Sequence, residues 1–190
     1  MAIPLRKPNE IDKLRIANIA VAKTLNYLKT TVKAGMTLKQ VDEMGEKFLR
    51  DLGARPSFKG LYGFPAAICT SLNEVIIHGI PTDVVLKEGD ILGIDIGSEI
   101  DGWYGDSAIT MPIGKISKED EALIACAKDS LYYAIDVIKE GMRFKELSKL
   151  IEDFITSRGY QPLVRFCGNG IGKKPHEEPE IPNYLENGNA

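Results

Sequence analysis

The segment that best indicates the fold is residues 89–108, which read GDILGIDIGSEIDGWYGDSA. Apolar residues alternate here with small or polar ones, which is the pattern of half-buried strands. A short turn around residues 100–102 separates two such runs, so the segment predicts an antiparallel hairpin of strands 91–97 and 103–111. Two more strands are predicted before it, at residues 66–71 and 74–78.

Two acidic residues of this hairpin share one face. With a loop of residues 100–101, Asp95 lies directly opposite Asp106, and with a loop of residues 101–102 the two are diagonal neighbours. Both registers put the side chains on one face, because strand side chains alternate with period two. Two partly buried carboxylates repel each other, and a divalent metal between them would resolve the conflict. The alternative is a solvated pair on an edge hairpin.

Four helices flank this β material and predict an α/β (α+β) chain. They are expected near residues 10–32 with Asn9 as N-cap, from the Thr37 capping box to Gly53, at 117–138, and at 143–157.

An internal repeat relates the two helix pairs. Residues 25–56 align without gaps with residues 131–162, and ten of the 32 positions are identical, including glycines and a proline that punctuate the helices. Similar composition of two amphipathic helix pairs is the alternative explanation. The repeat predicts a fold of two related halves. The counterpart of the hairpin would then fall near positions 197–217, so we expect a C-terminally truncated chain whose ending, residues 173–190, is a loop.

Composition sets limits on the function. The 190 residues are 44% hydrophobic and 27% charged with net charge −3, which is typical of a globular protein without a nucleic-acid surface. The three cysteines are far apart and in no metal spacing, which favours a reducing cytoplasm. No signal peptide and no apolar run of membrane-spanning length is found.

Both histidines of the chain lie in distinctive contexts. His78 ends an apolar run and precedes a glycine, and His176 follows the glycine-rich segment 167–172. A lone histidine is more often structural or exposed, but beside a metal site it becomes a candidate for proton transfer. The glycine-rich segment lacks the Lys-Ser/Thr ending of a phosphate-binding loop, and no helix is predicted after it.

Three motifs in order resemble type I methionine aminopeptidases of peptidase family M24. They are residues 73–81 (NEVIIHGIP), the Asp95/Asp106 hairpin, and residues 167–179 (CGNGIGKKPHEEP). The resemblance implies the pita-bread fold, in which two pseudo-symmetric α-α-β halves surround a dinuclear metal centre. Residues 1–190 would then form a single domain that lacks its C-terminal strands.

The resemblance also implies roles for individual residues. Asp95 matches the bidentate ligand of one metal, and Asp106 matches the ligand that bridges both metals. His78 matches the histidine near the scissile bond and the amino group, whereas His176 matches the histidine that contacts the peptide and stabilises the tetrahedral intermediate. The positions that line the family's methionine pocket are here Phe58, Leu61 and Phe64.

The sequence departs from the family in its metal ligands. Asn169 stands where the family has a metal-binding histidine, and an amide oxygen is the weaker ligand for a transition metal. The family takes two further glutamate ligands from a segment that this chain lacks. The resemblance thus implies two divalent ions (Co, Mn, Fe, Zn or Ni) whose binding is impaired here, with weak or no activity.

The family implies a monomeric cytoplasmic enzyme that removes the N-terminal methionine from nascent polypeptides close to the ribosome. The main alternative is a non-enzymatic pita-bread protein that binds peptides or a partner, which Asn169 favours and the retained histidines and aspartates disfavour. A relative that cleaves after Xaa-Pro or acts on creatine is a third candidate, and the short N-terminus argues against it.

Overall fold

The computed structural model describes residues 3–185, in which helices and strands follow each other in two series. The helices are α1 (Pro8–Thr31), α2 (Leu38–Asp51), α3 (Lys118–Val137) and α4 (Phe144–Thr156). The strands are β1 (Arg55–Pro56), β2 (Ile68–Leu72), β3 (Ile91–Ile100), β4 (Trp103–Pro112), β5 (Gly168–Gly170) and β6 (Glu177–Ile181), and a 3₁₀ turn spans Leu61–Gly63.

The chain divides into two compact units. The first unit contains residues 4–117 together with 171–176, and the second contains residue 3, residues 118–170 and residues 177–185. In the first unit β3 is the central strand of an antiparallel sheet, with β4 on one side and both β2 and β1 on the other. In the second unit α3 and α4 accompany the antiparallel pair β5–β6.

The core of the first unit lies between the helix pair and one face of this sheet. Leu92, Ile94 and Ile96 of β3 are fully buried there, because alternate residues of a strand face the same way. They pack in one cluster with Leu28 of α1 and Leu49 of α2. Each fully buried side chain of this kind contributes about 1.5–3 kcal/mol. The opposite face of the sheet is therefore left to residues such as Asp95.

The predicted hairpin is confirmed, and its register is the second of the two considered. Residues 101 and 102 form the loop, with φ of 52° and 76°. Positive φ at both loop positions gives the turn whose twist matches that of the strands. Ile100 consequently pairs with Trp103, and Gly97 pairs with Asp106.

The strand predicted at residues 74–78 is wrong. Asn73 adopts a left-handed φ of 51°, which turns the backbone out of the sheet after Leu72. Val75 and Ile76 are exposed in the resulting loop, so their apolar character does not reflect burial in a strand. Strands at the other predicted places are confirmed within a few residues.

Two terminal predictions also need correction. The N-cap of α1 is Lys7, two residues before the predicted Asn9, because Pro8 is favourable in the first turn and the Lys7 N–H donates to Glu10 Oε2. The ending was predicted to be loop, but Glu177–Ile181 forms β6 and pairs with β5. The last five residues of that predicted loop lie outside the described residues.

The internal repeat is confirmed inside each helix pair. Tyr27 stacks on Phe48 with ring centroids 4.3 Å apart, and Tyr133 stacks on Phe154 at 4.8 Å. These are residues that the 106-residue shift aligns. The aligned glycines behave alike as well, since all four that end or join the helices have positive φ: Gly35, Gly141, Gly53 and Gly159.

Candidate active site

A pair of neighbouring carboxyl groups marks the sheet face that the helices do not cover. Asp95 lies between Cys69 of β2 and Ala108 of β4, and Asp106 is its diagonal neighbour on β4. The side chains of the two aspartates lie close enough for each to shift the pKa of the other. Two carboxylates this close repel each other when both are ionised, which favours a proton shared between them.

The environment explains why the pair retains this proton. Burial raises the pKa of Asp95, and repulsion from Asp106 raises it further. Burial likewise raises the pKa of Asp106. His78 acts in the opposite direction, because its charge lowers the pKa of Asp95. A positive charge between the oxygens would relieve the same repulsion and displace the proton.

His78 is held near the pair by the glycine that follows it. Gly79 accepts a hydrogen bond from the Thr70 N–H at 2.8 Å and donates its own N–H to Ser71 Oγ at 3.2 Å. A Cβ on Gly79 would overlap the Thr70 carbonyl group, so only glycine permits this close approach to β2. His78 itself has a left-handed φ of 55° and an exposed side chain.

The predicted methionine-pocket residues occupy one tight turn. Phe58 is buried, and its ring fills the space where a Cβ of Gly97 would be. Gly97 is two residues from Asp95 and faces the same way, so Phe58 lies on the side of the sheet that carries the acidic pair. Leu61 and Phe64 are partly exposed in the same turn, which is closed by the hydrogen bond from the Gly60 N–H to the Phe64 carbonyl.

His176 belongs to a short segment, residues 171–176, that lies on the first unit. The Tyr104 N–H donates to the Gly172 carbonyl at 2.8 Å, and the Lys173 ammonium lies 5.4 Å from the centroid of the Trp103 ring. The imidazole of His176 stacks on the ring of Tyr62. The structure thus assembles Asp95, Asp106, His78, His176 and the Phe58 turn in one unit.

Asn169 lies in the other compact unit, on β5. Its amide nitrogen donates to the Gly170 carbonyl at 2.8 Å, and it pairs in register with Glu180. Its predicted role as a third metal ligand stays a prediction.

Sequence reasoning missed Cys69 and Tyr62. Cys69 lies directly across the strands from Asp95, and burial together with the nearby acidic charges raises the pKa of its thiol to about 12, so the group stays neutral. The sequence indicates that Cys69 lies in a strand, but it does not give the pairing register that places Cys69 beside Asp95. Tyr62 gave no local signal, because its partner His176 is far away in sequence.

The acidic pair supplies some, but not all, of the ligands that one divalent cation needs. Two adjacent carboxyl groups supply the oxygen ligands that such cations accept. Within residues 3–185, however, the structure contains no group of three or more His, Cys, Asp or Glu side chains arranged to hold a metal. The pair is a partial site, poorer in donors than a dinuclear centre requires.

Comparison with known proteins identifies the family. Residues 12–190 match metallopeptidase family M24. The chain is 60% identical to a methionine aminopeptidase from Helicobacter pylori over 99% of this chain and 74% of that protein. The chain belongs to the methionine aminopeptidases.

Other methionine aminopeptidases agree with this assignment. One from Bacillus subtilis is 40% identical over 94% of this chain and 72% of its own length. The crystal structure of a methionine aminopeptidase from Rickettsia prowazekii superposes with a TM-score of 0.95 at 32% identity, covering 99% of this chain and 76% of that one. The predicted pita-bread fold is thereby confirmed, and the three-quarter coverage fits an incomplete second half. None of the described helices is long and apolar enough to cross a bilayer.

Proposed function

We propose that this chain acts as a metal-dependent aminopeptidase that removes the N-terminal methionine from nascent proteins. The similarity to the H. pylori enzyme carries the proposal, because it extends over nearly the whole chain at 60% identity. The acidic pair, both histidines and the Phe58 turn supply matching chemical groups. The comparisons give no support to a non-enzymatic peptide-binding protein, the alternative that Asn169 favours.

Each proposed role follows from chemistry and position. Asp95 and Asp106 would hold a divalent cation after releasing their shared proton. When bound, the metal supplies Lewis-acid activation of water and of the scissile carbonyl. His78 and His176 would donate hydrogen bonds to the peptide, and both are exposed on the unit that carries the pair.

Substrate selection would rest on the apolar turn. Phe58, Leu61 and Phe64 would surround the methionine side chain, a flexible thioether that suits an apolar pocket. Phe58 would also exclude water from one end of the acidic pair, since its ring covers Gly97.

The proposal extends to cofactors, partners and location. We include two divalent ions among Co, Mn, Fe, Zn and Ni, with Asn169 as a neutral and therefore weak ligand. We also include a single domain over residues 1–190, a monomeric state, and work on nascent polypeptides near ribosomes in the cytoplasm. Because residues 3–185 bring only two acidic donors together, we expect metal to bind weakly and hydrolysis to require it in excess.

Hydrolysis of Met-Ala-Ser by the purified chain with millimolar Mn²⁺ or Co²⁺ tests the function. We expect slow release of methionine, none with chelator, and none from the D95N variant. Leu-Ala-Ser serves as the matched control peptide and should react more slowly. Metal-independent release would contradict the mechanism, and peptide binding without release under all conditions would favour the non-enzymatic alternative.

A second variant isolates the contribution of Asn169. Replacing it by histidine restores a nitrogen ligand, so N169H should bind Mn²⁺ more tightly by calorimetry than the wild type. An unchanged affinity would exclude Asn169 from the metal site.

A further inference from the structure

We propose that Tyr62 is a positioning residue for His176, which it holds by ring stacking above the turn that carries the predicted methionine pocket. The two rings are parallel, with centroids 6.0 Å apart. This inference rests on the proposed function, since it assigns Tyr62 a role in presenting His176 to a peptide. A positioning role is distinct from catalysis, because Tyr62 would act only through the imidazole.

The turn holds Tyr62 in an outward position that the core does not require. Its side chain is 87% exposed, and its φ of 48° is uncommon for a residue with a Cβ. Gly60 and Gly63 flank it with φ of 89° and 81°, and the Gly63 N–H donates to the Gly60 carbonyl. An exposed aromatic ring in a disfavoured conformation calls for another explanation than packing. The contact with His176 provides one.

The other half of the stack is fixed independently. The segment of residues 171–176 is anchored by the Tyr104–Gly172 hydrogen bond and by Lys173, which lies over the Trp103 ring. Arg6 lies at the same 5.4 Å from the centroid of Trp103. The backbone of His176 is therefore fixed by the anchored segment, and Tyr62 would restrict the orientation of its side chain.

Stacking suits the role proposed for His176. A parallel stack engages the faces of the two rings, so both imidazole nitrogens at the ring edge keep their capacity to bond a peptide. Tyr62 is also the residue between Leu61 and Gly63, in the turn of the predicted pocket. The stack thus couples the position of His176 to the pocket that would select methionine.

Proton NMR of the full chain tests the stack directly, because its only two histidines give two imidazole Hε1 signals. In Y62L one signal should move downfield, since the shielding by the tyrosine ring is lost, while the other stays in place. Y62F should leave both signals near their wild-type positions. The matched control is Y132L, which removes an exposed tyrosine of the second unit and should move neither.

Kinetics with Met-Ala-Ser and saturating Mn²⁺ tests the consequence. Y62L should lose about two- to tenfold in kcat with little change in KM, the size expected for one aromatic pair, and Y62F should retain activity. Unchanged fluorescence of Trp103, the single tryptophan, would show that the 171–176 segment remains anchored.

The outcomes separate the two proposals. Unmoved histidine signals in Y62L, or an equal loss of kcat in Y62F and Y62L, would overturn the role of Tyr62 and leave the proposed function intact. Absence of any hydrolysis by the wild type would overturn the proposed function and the kinetic role of Tyr62, while the NMR result would still decide whether the stack forms.

Discussion

At Gly105 the backbone of the hairpin lies close to the backbone of α1, and replacing this glycine by alanine tests how the site is supported. A Cβ at this position would lie 2.7 Å from the carbonyl carbon of Ala17 and 2.7 Å from the amide nitrogen of Asn18. These are helix backbone atoms, so they cannot rotate away as a side-chain end could. The whole helix would have to shift away from the sheet.

The expected loss combines two effects. Overpacking in a filled core costs about 1–3 kcal/mol. Ser98 lies opposite Gly105 and donates its hydroxyl to the Ala17 carbonyl at 2.9 Å, and leaving these groups without a partner costs about 1–3 kcal/mol. We therefore expect G105A to lower the free energy of unfolding by about 3 kcal/mol.

Urea unfolding followed by Trp103 fluorescence measures this loss. The matched control is G93A on the other face of the same sheet, where the nearest atom to a new Cβ is Ser71 Cβ at 3.3 Å, a tight contact that a shift of a few tenths of an ångström relieves. The control should change stability by less than about 1 kcal/mol. Equal midpoints for G105A and G93A would refute the close-approach argument.

Three further predictions concern the acidic pair and its neighbourhood. In the metal-free folded chain the pKa values of Asp95 and Asp106 are raised, so both carboxyl groups lose their protons at lower pH in the unfolded chain than in the folded one. The free energy of unfolding should therefore fall as the pH rises from about 4 to about 7. D95N should reduce this pH dependence, so that its free energy of unfolding exceeds that of the wild type by about 1 kcal/mol or more at pH 7 and equals it near pH 3. A Tm that changes with pH in D95N as it does in the wild type would contradict this. Mn²⁺ should raise the Tm of the wild type and not that of D106N, whereas equal shifts would place the cation elsewhere. Cys69 is buried with a pKa raised to about 12 and should react with a thiol reagent at pH 8 far more slowly than the half-buried Cys167, as mass spectrometry of the labelled peptides would show.

The hairpin and its acidic pair could be predicted from the sequence because their signals are local. Alternation of apolar residues defined both strands, and the Asp101-Gly102 step is a common two-residue loop, so turn chemistry alone could have chosen the correct register. The internal repeat could also be detected in the sequence. Where the backbone of both halves turns through positive φ, glycine recurs at the aligned positions.

The remaining features depend on contacts between distant residues. The apolar run Val75–Ile77 looks like a strand, and only the left-handed turn at Asn73 removes it from the sheet. Cys69 meets Asp95 through a pairing between strands that no local pattern specifies. The stack of Tyr62 on His176 joins residues more than a hundred positions apart, which periodicity cannot detect.

Because the Tyr–Phe stack occurs in both helix pairs, the stability that it contributes can be compared in two surroundings within one chain. The same two residue types, at the same spacing, join each helix pair, but the surroundings differ: Leu25 is 5% exposed, whereas its aligned partner Leu131 is 58% exposed. Removing Phe48 and Phe154 in turn would therefore compare one interaction beside a four-stranded sheet with the same interaction beside a two-stranded one, in a single polypeptide and a single solvent. The difference between the two losses reports what tertiary burial adds to a helix hairpin.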